Sequence, residues 1–122
     1  MSFRPPKDTE KISWTRHAWE KMKFYRLSES HLKRILRHPK RTEKGIAPKT
    51  IACMQPSGSR KHPTEIWLMY QIINQKSKVK KLKIKEKIRI ISAWRYPGVS
   101  PIGEPIFIPE DVLNELRQLT KK

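Results

Sequence analysis

The sequence predicts an α+β domain: two N-terminal helices packed on a three- to four-stranded antiparallel sheet, followed by a C-terminal helix. Three observations carry this. Apolar residues recur every three or four positions between residues 13 and 38. Residues 65–73 and 82–98 are rich in β-branched and aromatic side chains, in a near-continuous run and in an alternating one. Helical spacing then returns after Pro109.

Residues 1–12, with Pro5, Pro6 and mixed charges, read as a flexible basic arm ahead of a single domain over 13–122. Ser13 is a plausible cap for a first helix over 13–25, with Trp14, Ala18, Met22 and Tyr25 near one face. Ser28 caps a second helix with Glu29 in its first turn; Leu32, Ile35 and Leu36 form its apolar face, and Pro39 ends it. Residues 39–48 read as loop, 50–54 as a short strand, and 55–63 as a turn-rich connection. The run EIWLMYQII (65–73) has the look of a central strand buried on both faces. A hairpin tipped by Lys76, Lys78, Lys80 and Lys81 joins it to the long basic strand ending at Trp94-Arg95-Tyr96. A proline-rich loop leads to the last helix, where Val112, Leu113, Leu116 and Leu119 form a stripe to dock on the sheet or on a partner.

Charge is the strongest compositional signal. Lys and Arg number 28 against 11 acids, a net charge of +17 in 122 residues. Such an excess repels itself on folding and attracts phosphate-rich polymers through counterion release. Cys53 is the only cysteine, which excludes an intrachain disulfide and a cysteine-rich metal site. The longest clear apolar run, residues 66–70, is too short to span a bilayer, and the N-terminus lacks the apolar stretch of a secretory signal. The expectation is a cytoplasmic protein with no membrane association.

Four places offer chemistry. His17 lies beside Arg16 and one helical turn before Lys21; cationic neighbours disfavour its charged form and suit it to proton transfer. Arg95 lies between Trp94 and Tyr96, which share the opposite face of the strand. Those aromatics either stack unpaired bases while Arg95 clamps a phosphate, or cover the helices. The loop 57–62 carries Gly58, Arg60 and Lys61, and either wraps a phosphate or is an ordinary solvated turn. Lys78, Lys80 and Lys81 either grip a nucleic-acid backbone or guard a strand edge against aggregation. His17, His31, His38 and His62 show no metal-ligand spacing, and no nucleotide-binding loop or serine elbow occurs. No metal and no cofactor is expected.

The stretch SWTRHAWEKMKFYRLSESHLKRILRHP, followed by strands that close in Trp-Arg-Tyr, resembles a bacterial domain-of-unknown-function family with the RelE/ParE-like toxin fold. That fold belongs to the wider barnase–EndoU–colicin–RelE group of metal-independent RNases, and the resemblance covers roughly residues 13–98. It implies two helices packed on a twisted antiparallel sheet. It also implies RNA cleavage by side chains alone: a base for the 2′-hydroxyl proton, cations for the phosphorane, an acid for the leaving oxygen. His17 resembles the family's helix histidine; Lys21, Arg60 and Arg95 take the place of phosphate clamps. The lysine-rich hairpin, the proline loop and the C-terminal helix depart from RelE-type toxins. The expectation is a toxin-like endoribonuclease acting on RNA, at the ribosome for instance. The alternatives are a non-catalytic RNA or DNA binder with Arg16, the hairpin lysines, Trp94 and Tyr96 in contact, or a toxin-fold protein held by an acidic antitoxin.

Overall fold

The computed structural model describes residues 4–45, 47, 49–75 and 85–120. The elements in chain order are β1 (Ile12–Trp14), α1 (Arg16–Tyr25), α2 (Glu29–Arg37), β2 (Arg41–Lys44), β3 (Thr50–Gly58), β4 (Pro63–Gln75), β5 (Lys85–Pro97) and α3 (Glu110–Thr120). The strands form one sheet in the order β1-β5-β4-β3-β2, so the apolar run of β4 is central, as its composition demands. The class is α+β, but the sheet has five strands and is mixed: β1 pairs parallel with β5, and the other pairs are antiparallel.

Three local readings are corrected. Ser13 and Trp14 are strand, not helix; Ile12, Ser13 and Trp14 lie opposite Ile88, Arg89 and Ile90. The helix starts at Arg16, with Thr15 rather than Ser13 as its cap, because Thr15 is extended and its hydroxyl accepts from Ala18 N at 3.0 Å. The same hydroxyl donates to the carbonyl of Ile91 at 2.9 Å, fastening the start of α1 to β5. Residues 41–44 are not loop but a polar edge strand on β3. The short strand at 50–54 runs on to Gly58, leaving only residues 59–62 as the turn. Gly58 has φ +80°, and a Cβ there would stand 2.3 Å from the carbonyl oxygen of His62, so glycine is required.

The helices cover both faces of the sheet. Ala18 and Met22 of α1, with Leu32 and Ile35 of α2, pack on Cys53, Ile66, Leu68, Ile90 and Ala93. Val112 and Leu116 of α3 pack on Ala52, Trp67, Met69, Ile91 and Trp94 from the other side. The α3 stripe is therefore spent on the chain's own sheet, each buried side chain contributing about 1.5–3 kcal/mol. Adjacent Ile90 and Ile91 serve opposite faces by ordinary strand alternation. A bulge leaves Ile91 unmatched between the pairs Tyr70–Ile90 and Met69–Ser92, and so puts Ala93 on the face of Ile90 and Trp94 on the face of Ile91.

A buried carboxylate positions the approach to α3. Glu65 is fully enclosed; it accepts from Trp67 Nε1 at 3.0 Å and from the Ser100 backbone and hydroxyl at 3.2 and 2.6 Å. Arg41 donates to the same hydroxyl at 2.9 Å and lies 5.5 Å over the Trp67 ring. The residues after Gly98 are thereby pinned to the sheet. Among the described residues no helix is long and apolar enough to cross a membrane.

Candidate nucleic-acid interface

Two groups of cations emerge from this frame. The first is the seam between α1 and α3. Helical periodicity puts His17, Lys21 and Phe24 along one stripe of α1. Opposite them α3 presents carboxylates. His17 Nδ1 is 3.8 Å from Glu115 Oε2, and the Lys21 ammonium bonds the Asp111 carboxylate. Burial pushes the Asp111 carboxyl up, but the hydrogen bond and charge of Lys21, with the charge of His17, together hold it below its ordinary 3.8. Lys21 also lies 5.0 Å over Phe24 and 5.7 Å over Tyr25. The His17 ring is 14% exposed, and its Nε2 is buried with no hydrogen-bond partner among the described residues. Arg16 points to solvent and pairs with Glu20 at 3.2 Å.

The second group lies at the end of the sheet where β5 stops. Arg95 is exposed there, and its Nη2 donates to the carbonyl of Tyr25 at 3.3 Å, the last residue of α1. Arg95 pairs across the sheet with Ile66, which pairs with Gln55; Gln55 in turn donates to the His38 carbonyl at 2.7 Å, beneath the end of α2. His31 and Arg34 therefore come down beside Arg95. Burial lowers the pKa of His31 from 6.5, and the charges of Arg34 and Arg95 lower it further. The turn bearing Arg60, Lys61 and His62 closes the same end of the sheet, all three exposed. Arg26, which follows Tyr25 in a left-handed conformation (φ 57°), is exposed as well. Among the described residues none of Arg26, Arg34, Arg60, Lys61 and Arg95 makes an ion pair. On the other flank of α2, Arg4, Lys7, Lys33 and Arg37 line an open cleft against the N-terminal arm.

The residues singled out from sequence thus separate. His17 and Lys21 are together, but each meets an acid rather than open space. Arg95 and Arg60 share the sheet end with His31 and Arg34. Trp94 is 1% exposed and stacks on Trp67 with ring centroids 6.2 Å apart and planes 5° apart, so it has no free face for a base. Tyr96 is half-buried against Phe107, centroids 6.1 Å apart. Lys78, Lys80 and Lys81 lie outside the described residues. His31 and Arg34 are not among the residues singled out from sequence, although their spacing of three behind the Ser28 cap places them on one flank of α2.

Burial pushes the Cys53 thiol up to about 12, so it is a protonated core residue at neutral pH and no nucleophile. No group of three or more His, Cys, Asp or Glu side chains that could hold a metal occurs among the described residues. No family model matches the chain, and neither a curated protein nor a solved structure shows significant similarity to it.

Proposed function

We propose that this chain is a cytoplasmic RNA-binding protein that seats the phosphate backbone on the basic rim made by α2, the turn after β3 and the end of β5. One observation carries the reading: His31, Arg34 and Arg95 converge at this end of the sheet, where burial first and then the charges of the two guanidiniums depress the imidazole. Like charges gather at such a cost when an anion is there to offset it. Phosphates supply that anion, and the net charge of +17 extends the attraction over the whole surface.

A second reading has support in the same cluster. His31 is neutral at pH 7, so it is able to take the 2′-hydroxyl proton of an RNA held by Arg34 and Arg95. The 2′ oxygen then attacks phosphorus, the guanidiniums hold the phosphorane charge, and the imidazolium returns the proton to the departing 5′ oxygen. That is the toxin-like metal-independent endoribonuclease, with His31 where the sequence put His17. An acidic antitoxin covering the rim fits this reading too.

Titrating the protein with a labelled RNA at increasing salt tests the first reading. A log–log slope of about −4 or steeper is expected, and a flat response overturns it. A DNA of the same sequence and a preparation of ribosomes, run in parallel, rank the targets. For the second reading, the same RNA is incubated in EDTA. Cleavage that His31→Ala abolishes and His17→Ala spares supports it; intact RNA, alone and with ribosomes, overturns it.

A further inference from the structure

The N-terminal arm and α2 enclose an open cleft of about 640 Å³, with room for a nucleotide-sized group. Arg4, Pro5 and Lys7 line it from the arm, and Glu29, Lys33 and Arg37 from the helix. Lys33 is spent on Glu29, one turn before it, at 2.7 Å. Arg4, Lys7 and Arg37 are exposed and make no ion pair among the described residues. Hydrogen bonds fasten the base of the arm to the fold: Trp14 N donates to Asp8 Oδ1 and Ile12 N to Thr9 Oγ1, both at 3.0 Å. The acid beside Lys7 is thereby occupied, and Pro5 and Pro6 stiffen the step back to Arg4.

Helix geometry joins this cleft to the rim. At about 100° per residue, His31, Arg34, Arg37 and Lys33 follow one another round the outside of α2, opposite the buried Leu32 and Ile35. His31 and Arg34 stand on the side of Arg95, while Arg37 and Lys33 line the cleft. The cations thus form one arc from the end of β5, over a helix about 10–12 Å across, to the arm.

We infer that the arm cleft is a second phosphate-binding site, and that one RNA strand crosses α2 from the rim into it. A strand carries a phosphate at every step, so it meets both ends of the arc at once, which a lone phosphate does not. Two contacts on one strand raise each other's effective concentration, and the arm adds affinity with no contact to a base. The inference rests on the rim being the RNA-binding surface and adds the path of the strand.

A labelled RNA of about a dozen nucleotides, titrated into the full chain at low and then rising salt, tests it. Arg4→Ala/Lys7→Ala is expected to weaken binding about fivefold or more and to reduce the salt slope by about one to two, with one RNA still bound per protein. Arg4→Lys/Lys7→Arg keeps both charges and is expected to bind like the parent. Lys44→Ala/Lys49→Ala removes the same charge at the other end of β3, beyond a Debye length, and is expected to cost less than twofold. Urea midpoints check that each variant is folded. If Arg4→Ala/Lys7→Ala binds like the parent while Arg34→Ala/Arg95→Ala does not, the inference falls and the rim stands. Equal losses in the arm and β3 variants overturn it in favour of net charge alone. Two RNA strands per protein, or pyrophosphate binding lost in the arm variant with RNA binding kept, makes the cleft a separate anion site and overturns the shared path. A parent chain that binds no RNA removes the rim itself.

Discussion

Lys21 and Arg95 began as equals, two cations expected to clamp the same phosphate, and the fold gives them opposite surroundings. Lys21 faces α3, where Asp111 neutralises it and two aromatic rings cover it. Arg95 faces solvent, tied among the described residues only to a backbone carbonyl, with further cations around it. The difference lies in where the acids are. With 11 carboxylates to serve 28 cations, the placement of each acid decides which cations stay available. On α1 the carboxylates of α3 were delivered by the docking of Val112 and Leu116; at the end of β5 no carboxylate among the described residues pairs with Arg95. A positive charge is thus structural on one side of α1 and open to a partner at its end.

The sharpest way to break this contrast is to remove cations from each side. The double variant Arg34→Ala/Arg95→Ala is expected to lower RNA affinity at least tenfold and to reduce the salt slope by about two, one for each lost phosphate contact. Lys21→Ala is expected to change affinity by less than twofold while lowering stability. Equal losses of affinity in the two proteins, measured at one salt concentration, would show that the distinction is false.

Asp111→Asn sharpens the contrast from the other side. It leaves the mostly buried Lys21 ammonium facing a neutral amide and is expected to cost about 1 kcal/mol, kept that small because Asp111 is 43% exposed. The freed lysine then adds to the surface, so RNA binding at low salt should rise while the urea midpoint falls. A variant as stable as the parent would mean that the seam contributes nothing.

Much of this architecture was legible from pattern. The β-branched run of residues 65–73 marked the sheet's centre, and Ser28 with Glu29 marked the start of α2, because these signals are local. β1 was not legible: three residues become strand only by pairing with a segment 76 positions away, as the Thr15–Ile91 bond measures. Nor was β2, since Arg-Thr-Glu-Lys has no apolar alternation and owes its shape to the open edge of β3. At the site, the spacing of four between His17 and Lys21 foretold their proximity. That Asp111 and Glu115 would face them depended on which face of the sheet α3 chose. His31 met Arg95 only because α2 is fastened over β3 by Gln55 at the end of the sheet where β5 stops, which no spacing in either segment encodes.

Acid separates the two regions by pH. His31 takes up its proton at a lower pH folded than its unfolded 6.5, so the unfolded chain binds more protons there and stability falls as pH drops below that value. Asp111 acts lower: its stabilisation is present above 3.8 and is lost as pH falls through its depressed folded value. RNA binding should move the other way in the first window, because protonated His31 adds a charge to the rim. Urea midpoints and RNA affinity at pH 7.5 and 5.5 are expected to diverge, and His31→Asn to flatten both. Parallel movement of the two quantities, or persistence of the trend in His31→Asn, would place the titration elsewhere.

The smallest expected effect tests whether the rim is kept for stability or for binding. Arg26 is exposed in the left-handed region, a conformation that costs a residue with a Cβ about 1 kcal/mol. Glycine removes that strain but frees the unfolded chain by nearly as much, so Arg26→Gly is expected to leave stability unchanged or raise it by about 0.5 kcal/mol. If the exposed guanidinium beside Tyr25 reaches phosphate, the same variant loses RNA affinity about two- to threefold at low salt, with the loss vanishing at high salt. Arg26→Lys should then bind like the parent, because charge rather than fork geometry is at work at this distance from Arg95. A glycine variant both more stable and equal in affinity would confine the rim to His31, Arg34 and Arg95, and would leave the strained arginine without a role in binding.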